Sequence, residues 1–174
     1  MQITTEAVKA LREETGAGIM DCKRALAEAE GDVARAKAIL REKGFATAAK
    51  KAERETGQGL VEAYIHGGGR IGALVEVNCE TDFVARNETF RWLAREVAMQ
   101  VAAMNPRFLS KEDVPAELIE REQLSPQDVE QMALLSQPYI RDQSRTIQDL
   151  ITETIAKTGE NIRVRRFVRF ELGK

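Results

Sequence analysis

Asn78-Cys79-Glu80-Thr81-Asp82-Phe83-Val84-Ala85-Arg86-Asn87 marks a change of period in the chain. Upstream, Ile71, Ala73, Val75, Val77 and Cys79 alternate with Gly72, Leu74, Glu76 and Asn78, the period of two expected of a strand with one buried face. Downstream, Phe90, Leu93, Ala94, Val97, Val101 and Met104 recur at helical spacing. The decapeptide is therefore predicted to be a strand-to-helix turn, with Thr81, Asp82 or Asn87 available to cap the N–H groups that a helix start leaves without partners. Capping does not account for Phe83. A ring among polar neighbours at such a junction either folds back under the core, the default for phenylalanine, or is held out for a partner.

Working outward, Leu60–Ile65 and Ile71–Cys79 flank Gly67-Gly68-Gly69, and the glycines predict an antiparallel hairpin. The helix after the turn should stop before Asn105-Pro106, because proline disfavours helical geometry in its predecessor. An acidic, irregular stretch is expected over 110–129, a short helix over 127–135 behind Ser125-Pro126, and extended chain at 137–140. Thr146 should cap a helix with Ile147, Leu150, Ile151, Thr154 and Ile155 inward, closing at Gly159. In the last segment Ile162, Val164, Val168, Phe170 and Leu172 are expected inward, with Arg166 a break on that side. Arg163, Arg165, Phe167, Arg169 and Glu171 are expected outward. This segment is predicted to be a third antiparallel strand, with Phe167 on the outer face of the sheet as a sign of protein contact.

At the N-terminal end, Thr4 is a candidate cap with Ile3 stapled onto Val8, and Thr15-Gly16-Ala17-Gly18 breaks the first helix. Asp21 is expected to cap a second helix ending at Gly31, and Asp32 a third ending near Gly44. Three short helices over 1–44, a partly helical linker over 45–59 and a core over 60–174 make an α+β chain: a three-helix domain followed by a three-stranded antiparallel sheet packed with helices.

Composition narrows function by exclusion. With 43% apolar and 31% charged residues the 174-residue chain is ordinary for a globular protein, and a net charge of −2 argues against gripping nucleic acid as a main task. No apolar run reaches the length of a membrane span and no secretory signal is visible, so a cytoplasmic protein is expected. Cys22 and Cys79 show neither disulfide nor metal spacing and are read as buried, reduced thiols. His66, the lone histidine, is read as a surface residue. Nucleophile elbows, zinc signatures and phosphate loops are missing, and the glycines at 67–72 lie inside a hairpin rather than before a helix. Glu80 and Asp82, without a pocket, read as solvated turn residues. Neither an enzyme, a metal site nor a cofactor is expected.

Leu11-Arg12-Glu13-Glu14-Thr15-Gly16-Ala17-Gly18-Ile19-Met20-Asp21-Cys22-Lys23-Arg24-Ala25-Leu26, taken with Glu76–Asn87, closely resembles translation elongation factor Ts. The resemblance extends to His66 and its glycine hairpin, Met104-Asn105-Pro106-Arg107, Gln137-Pro138-Tyr139, and Gly159-Glu160-Asn161-Ile162 leading into Arg165-Arg166-Phe167. It implies a guanine nucleotide exchange factor for elongation factor Tu, with an N-terminal domain of ubiquitin-associated type. Thr81, Asp82, Phe83 and Val84 match the family segment that inserts near the GTPase's magnesium. Arg12, Ile19 and Met20 match positions where the N-terminal domain meets the GTPase domain, with Ile19 in place of a methionine common in relatives. Single-module members carry a longer helical hairpin where this chain has only Leu118 to Met132. The resemblance also points to a homodimer and a two-plus-two complex. Two other readings of the residues are a ubiquitin-like-binding adaptor, from the three-helix N-terminus, and an RNA-binding α/β module, from Arg163, Arg165, Arg166 and Arg169.

Overall fold

The computed structural model describes residues 3–174, so the first two residues of the expected 1–44 unit lie outside the described residues. The chain forms two units, Met1–Arg54 with Thr152–Asn161, and Glu55–Ile151 with Ile162–Lys174.

In the first unit, α1 (Thr5–Thr15) begins at Thr4, whose hydroxyl accepts the Ala7 N–H, and ends at Gly16 in the left-handed region. Next, α2 (Ile19–Glu28) starts at Gly18, not at Asp21 as expected. Asp21 instead occupies the first turn, where the helix dipole favours a carboxylate, and pairs with Arg24 at 2.6 Å. Asp32 caps α3 (Val33–Lys51) through the Arg35 N–H. This helix passes through Gly44, where a stop was expected. A glycine inside a helix costs only about 1 kcal/mol, and the alanines and lysines that follow favour continuation. Val8, Leu11, Cys22, Ala25, Leu26, Ala29 and Ala36 form the core, with Ile3 packed against it. Beyond α3, the Asn161 amide donates to the carbonyls of Ala52 and Arg54, and the Lys51 ammonium donates to that of Gly159.

The second unit contains β1 (Gln58–His66), β2 (Ile71–Cys79), α4 (Asp82–Ala85), α5 (Glu88–Met104), α6 (Ala116–Glu122), α7 (Pro126–Met132), β3 (Pro138–Tyr139), β4 (Asp142–Thr146), the first residues of α8 (Ile147–Thr158), and β5 (Ile162–Glu171). The sheet is antiparallel in the order β1-β2-β5, its hairpin closed by Gly67, Gly68 and Gly69, all at positive φ. Across it lies α5, burying Phe90, Leu93, Ala94, Val97 and Val101 while Met104 faces outward. Ala73, Val75, Val77 and Cys79 face the helix side and are buried. The stretch expected to be irregular holds α6 behind Pro115, and the short helix expected behind Ser125-Pro126 is α7, which ends at Met132 rather than 135; each proline sits at a helix start, where a missing N–H costs nothing. The extended segment at Pro138 pairs with β4 as a small hairpin. It is tied to α5 by a buried network. The Gln100 amide donates to the Gln137 side chain at 3.1 Å and the Pro138 carbonyl at 3.0 Å, and the Tyr139 hydroxyl donates to Glu96.

A bulge in the β2–β5 ladder overturns the expected faces of the last strand. Arg166 opposes Glu76 and Val164 opposes Val77, so Arg165 is the extra residue. One inserted residue flips every side chain beyond it. Phe167 thus lies opposite buried Val75, partly covered on the helix side, and Arg169 opposite Ala73, with its Nε donating to the Ala102 carbonyl of α5 at 2.9 Å. Val168 and Phe170, expected inward, lie opposite Leu74 and Gly72 on the open face, as does Leu172 beyond them; Phe170 is 69% exposed. Ile65 and Leu74 are exposed with them at one end of an apolar face, and Val61, opposite Glu76, is exposed toward its other end. At its other end Glu76 meets Arg166 at 2.7 Å and Arg165 at 3.5 Å, and the Arg166 hydrogen bond holds the Glu76 carboxyl below its usual range.

Candidate partner-binding sites

The residues expected to meet a partner fall into two sets, one in each unit. In the second unit, Cys79 ends β2 and the chain turns at Glu80-Thr81 into α4, a helix of a single turn. So short a helix cannot hold itself together in water, and its order comes from outside ties. The Thr81 hydroxyl accepts the Val84 N–H at 3.3 Å, and the Thr81 carbonyl accepts both the Ala85 N–H at 3.2 Å and the Cys79 thiol at 3.1 Å. Val84 is buried and anchors the turn from beneath. Asn87 then caps α5 through the Thr89 N–H at 2.8 Å, so both helix starts have a side-chain cap.

The outcome for Phe83 follows from this geometry. With Val84 inward, its neighbour points away, and Phe83 is 78% exposed. Asp82 is exposed beside it and pairs with Arg86, one helical turn on, at 2.9 Å. Of the four residues Thr81 to Val84, three therefore present themselves to solvent and the fourth is structural.

In the first unit, Ile19 and Met20 occupy the first turn of α2 and are 49% and 60% exposed, while Arg12 is exposed in the last turn of α1. The three-residue connection between these helices is pinned at both ends. The Gly16 N–H donates to the Arg12 carbonyl at 2.7 Å, the Thr15 hydroxyl donates to Leu11, and the Cys22 thiol donates to the Ala17 carbonyl at 3.7 Å.

Residue patterns missed Arg86, Cys79 and Cys22 as members of these sites. The i, i+4 spacing of Asp82 and Arg86 is visible only once a helix is assigned to Asp82–Ala85, and the two cysteines register in the sequence merely as core. Neither is in a disulfide and both are fully buried. Among the described residues no group of three or more His, Cys, Asp or Glu is placed to hold a metal ion, and no helix is long and apolar enough to cross a membrane. Arg165 and Arg166 both turn to Glu76, and Arg169 to Glu171 at 2.8 Å.

Comparison with known proteins bears on the same segments. A family model described as Elongation factor TS matches residues 2–128. The chain is 55% identical to Elongation factor Ts of Caldanaerobacter subterraneus subsp. tengcongensis, an alignment covering 99% of this chain and 98% of that protein. It is 53% identical to Elongation factor Ts of Carboxydothermus hydrogenoformans, over 99% of this chain and 90% of that protein. The 195 aligned positions outnumber the 174 residues of this chain by 21, so the relative carries residues that this chain lacks. With both signature segments inside the matched residues and the similarity running along nearly the full length, this chain belongs to the elongation factor Ts family of translation elongation factors.

Proposed function

We propose that this protein is the guanine nucleotide exchange factor for elongation factor Tu, acting in the cytoplasm and making or breaking no covalent bond. The observation that carries the reading is Phe83: a large apolar ring held in water on a tip tied down by Thr81, Val84 and Cys79. The ring contributes almost nothing to folding where it stands, and the gain from burying its apolar surface comes only when a partner covers it.

Exchange follows from linkage. A protein that binds the nucleotide-free GTPase more tightly than the GDP-bound form must weaken GDP binding by the same factor. A coupling of about 4 kcal/mol weakens GDP roughly a thousandfold. Phe83 entering the GTPase as a wedge, with Asp82 displacing the groups that organise magnesium, supplies interactions made only in the nucleotide-poor state. Ile19 and Met20, supported by Arg12, hold the GTPase domain without discriminating between its states, which sets affinity rather than rate.

We further propose that the protein works as a homodimer in a two-plus-two complex. Phe167 does not support this pairing, because the bulge turns it toward α5. The open face with Val61, Ile65, Leu74, Val168, Phe170 and Leu172 supports it instead, since a two-fold pair buries the same patch on both subunits.

Release of labelled GDP from elongation factor Tu tests the exchange reading. Catalytic amounts of the protein are expected to accelerate release by orders of magnitude, whereas a ubiquitin-like adaptor or an RNA-binding module leaves the rate unchanged. The pairing of Arg165 and Arg166 with Glu76 gives the RNA reading no support.

A further inference from the structure

Cys79 has no exposed surface, forms no disulfide and belongs to no metal-binding group among the described residues. Buried cysteine usually serves as a small apolar filler, and its S–H is a weak donor. Here the thiol does something more specific. It stands on the last residue of β2 and donates to the carbonyl of Thr81, the residue that caps α4. That carbonyl also accepts the first backbone hydrogen bond of the helix, from Ala85. The thiol therefore links a strand fixed in the sheet to the opening turn of a helix too short to order itself.

A parallel arrangement occurs, independently, at the other contact segment. Cys22, also without exposed surface, donates to the Ala17 carbonyl in the connection that leads into Ile19 and Met20. It also lies 4.0 Å from the Thr15 hydroxyl. Both cysteines of the chain thus direct their thiols at a backbone carbonyl of a segment carrying exposed apolar contact residues.

We infer that Cys79 is a positioning residue for nucleotide exchange: its thiol latches the Thr81 carbonyl and so fixes where Asp82 and Phe83 are presented. This inference rests on the exchange reading above for its consequence and on the free protein for its geometry. Loosening the latch leaves the contact residues in place but spreads Phe83 over several orientations. The GTPase is still bound, and the fraction of encounters with the ring correctly aimed falls. The loss belongs to the maximal release rate rather than to the half-saturating concentration.

Two measurements on the full chain test it. In the first, GDP release from elongation factor Tu is followed for Cys79→Ala and Cys79→Ser, well below the melting temperature of each. Cys79→Ala is expected to lower the maximal rate about fivefold at an unchanged half-saturating concentration, and Cys79→Ser, which keeps a donor, to recover it to within about twofold. In the second, amide hydrogen exchange is read on the free protein. Amides at 83–86 are expected to exchange faster in Cys79→Ala and not in Cys79→Ser, while those at 93–101 in α5 stay unchanged. Cys79→Val, which refills the volume without a donor, carries the same expectation as alanine if that variant melts too low. The inference is overturned by a wild-type rate in the donorless variants, by a serine variant no better than alanine, or by α5 amides that speed up in step with the tip. If the unaltered protein fails to release GDP, the exchange reading fails, and the amide measurement still decides whether Cys79 holds the turn.

Discussion

At the scale of single residues, Phe83 separates contact from core. Because its ring is mostly in water, Phe83→Ala is expected to cut GDP release strongly while changing unfolding free energy by less than about 1 kcal/mol. A loss near 3 kcal/mol in a denaturant titration would place the ring in the core and sink the reading. Tyr139 gives the opposite kind of test. Burial, and then the hydrogen bond to Glu96, raise its pKa above the ordinary 10.0. The folded state therefore holds the proton more tightly than the unfolded chain. That preference is fully present below pH 10 and is lost as pH rises past it. Stability measured between pH 9 and 11 is expected to fall, and Tyr139→Phe to flatten that fall while lowering stability at neutral pH through the donor lost to Glu96. From the sequence, Phe83 could be either buried or displayed. The choice was settled by Val84, since a one-turn helix that sends one side chain under the sheet must send its neighbour out.

At the scale of elements, period is what the sequence shows well. The hairpin, β2 and α5 are legible because alternation in twos and a stripe in threes and fours are properties of the residues themselves. The bulge at Arg165 is not legible, because Phe167 and Phe170 are equally apolar and the last segment alternates acceptably in either phase. Only the opposing strand, with Val75 and Ala73 already committed to the core, selects between them. The end of α3 escaped for a related reason: its continuation past Gly44 has almost no amphipathic pattern to read. The start of β1, close to the bulge, offers a check on how tightly β1 and β2 are joined. Gly59 sits at φ 143, and a Cβ there would collide with the Val77 carbonyl. Gly59→Ala is expected to destabilise the protein by about 2 kcal/mol or more in thermal or denaturant unfolding, and a neutral result would mean that the strand end is far more pliant than its register suggests.

At the scale of the whole molecule, the apolar open face and the two-part first unit carry the consequences. Sedimentation equilibrium at micromolar concentration is expected to give twice the 19.4 kDa chain mass, and Phe170→Glu, on the open face, to return it to the monomer. A wild-type chain that sediments as a monomer with full exchange activity would refute the pairing. The roles proposed for Arg12, Ile19 and Met20 rest on resemblance alone, since nothing in an exposed apolar pair at a helix start names its partner. The division of the first unit was also hidden, because Asn161 reaches Ala52 and Arg54 across more than a hundred residues of sequence. That separation sets an order of events during synthesis. The three-helix core from Val8 to Ala36 can close as soon as it leaves the ribosome, whereas Thr152–Asn161 is made about a hundred residues later, roughly 5 to 20 s at ordinary elongation speeds. For that interval the end of α3 waits without its lasting neighbours, and β5, the strand that completes the sheet, is the last element to arrive. In a member of the translation elongation machinery, elongation itself thus sets the order in which the fold can close.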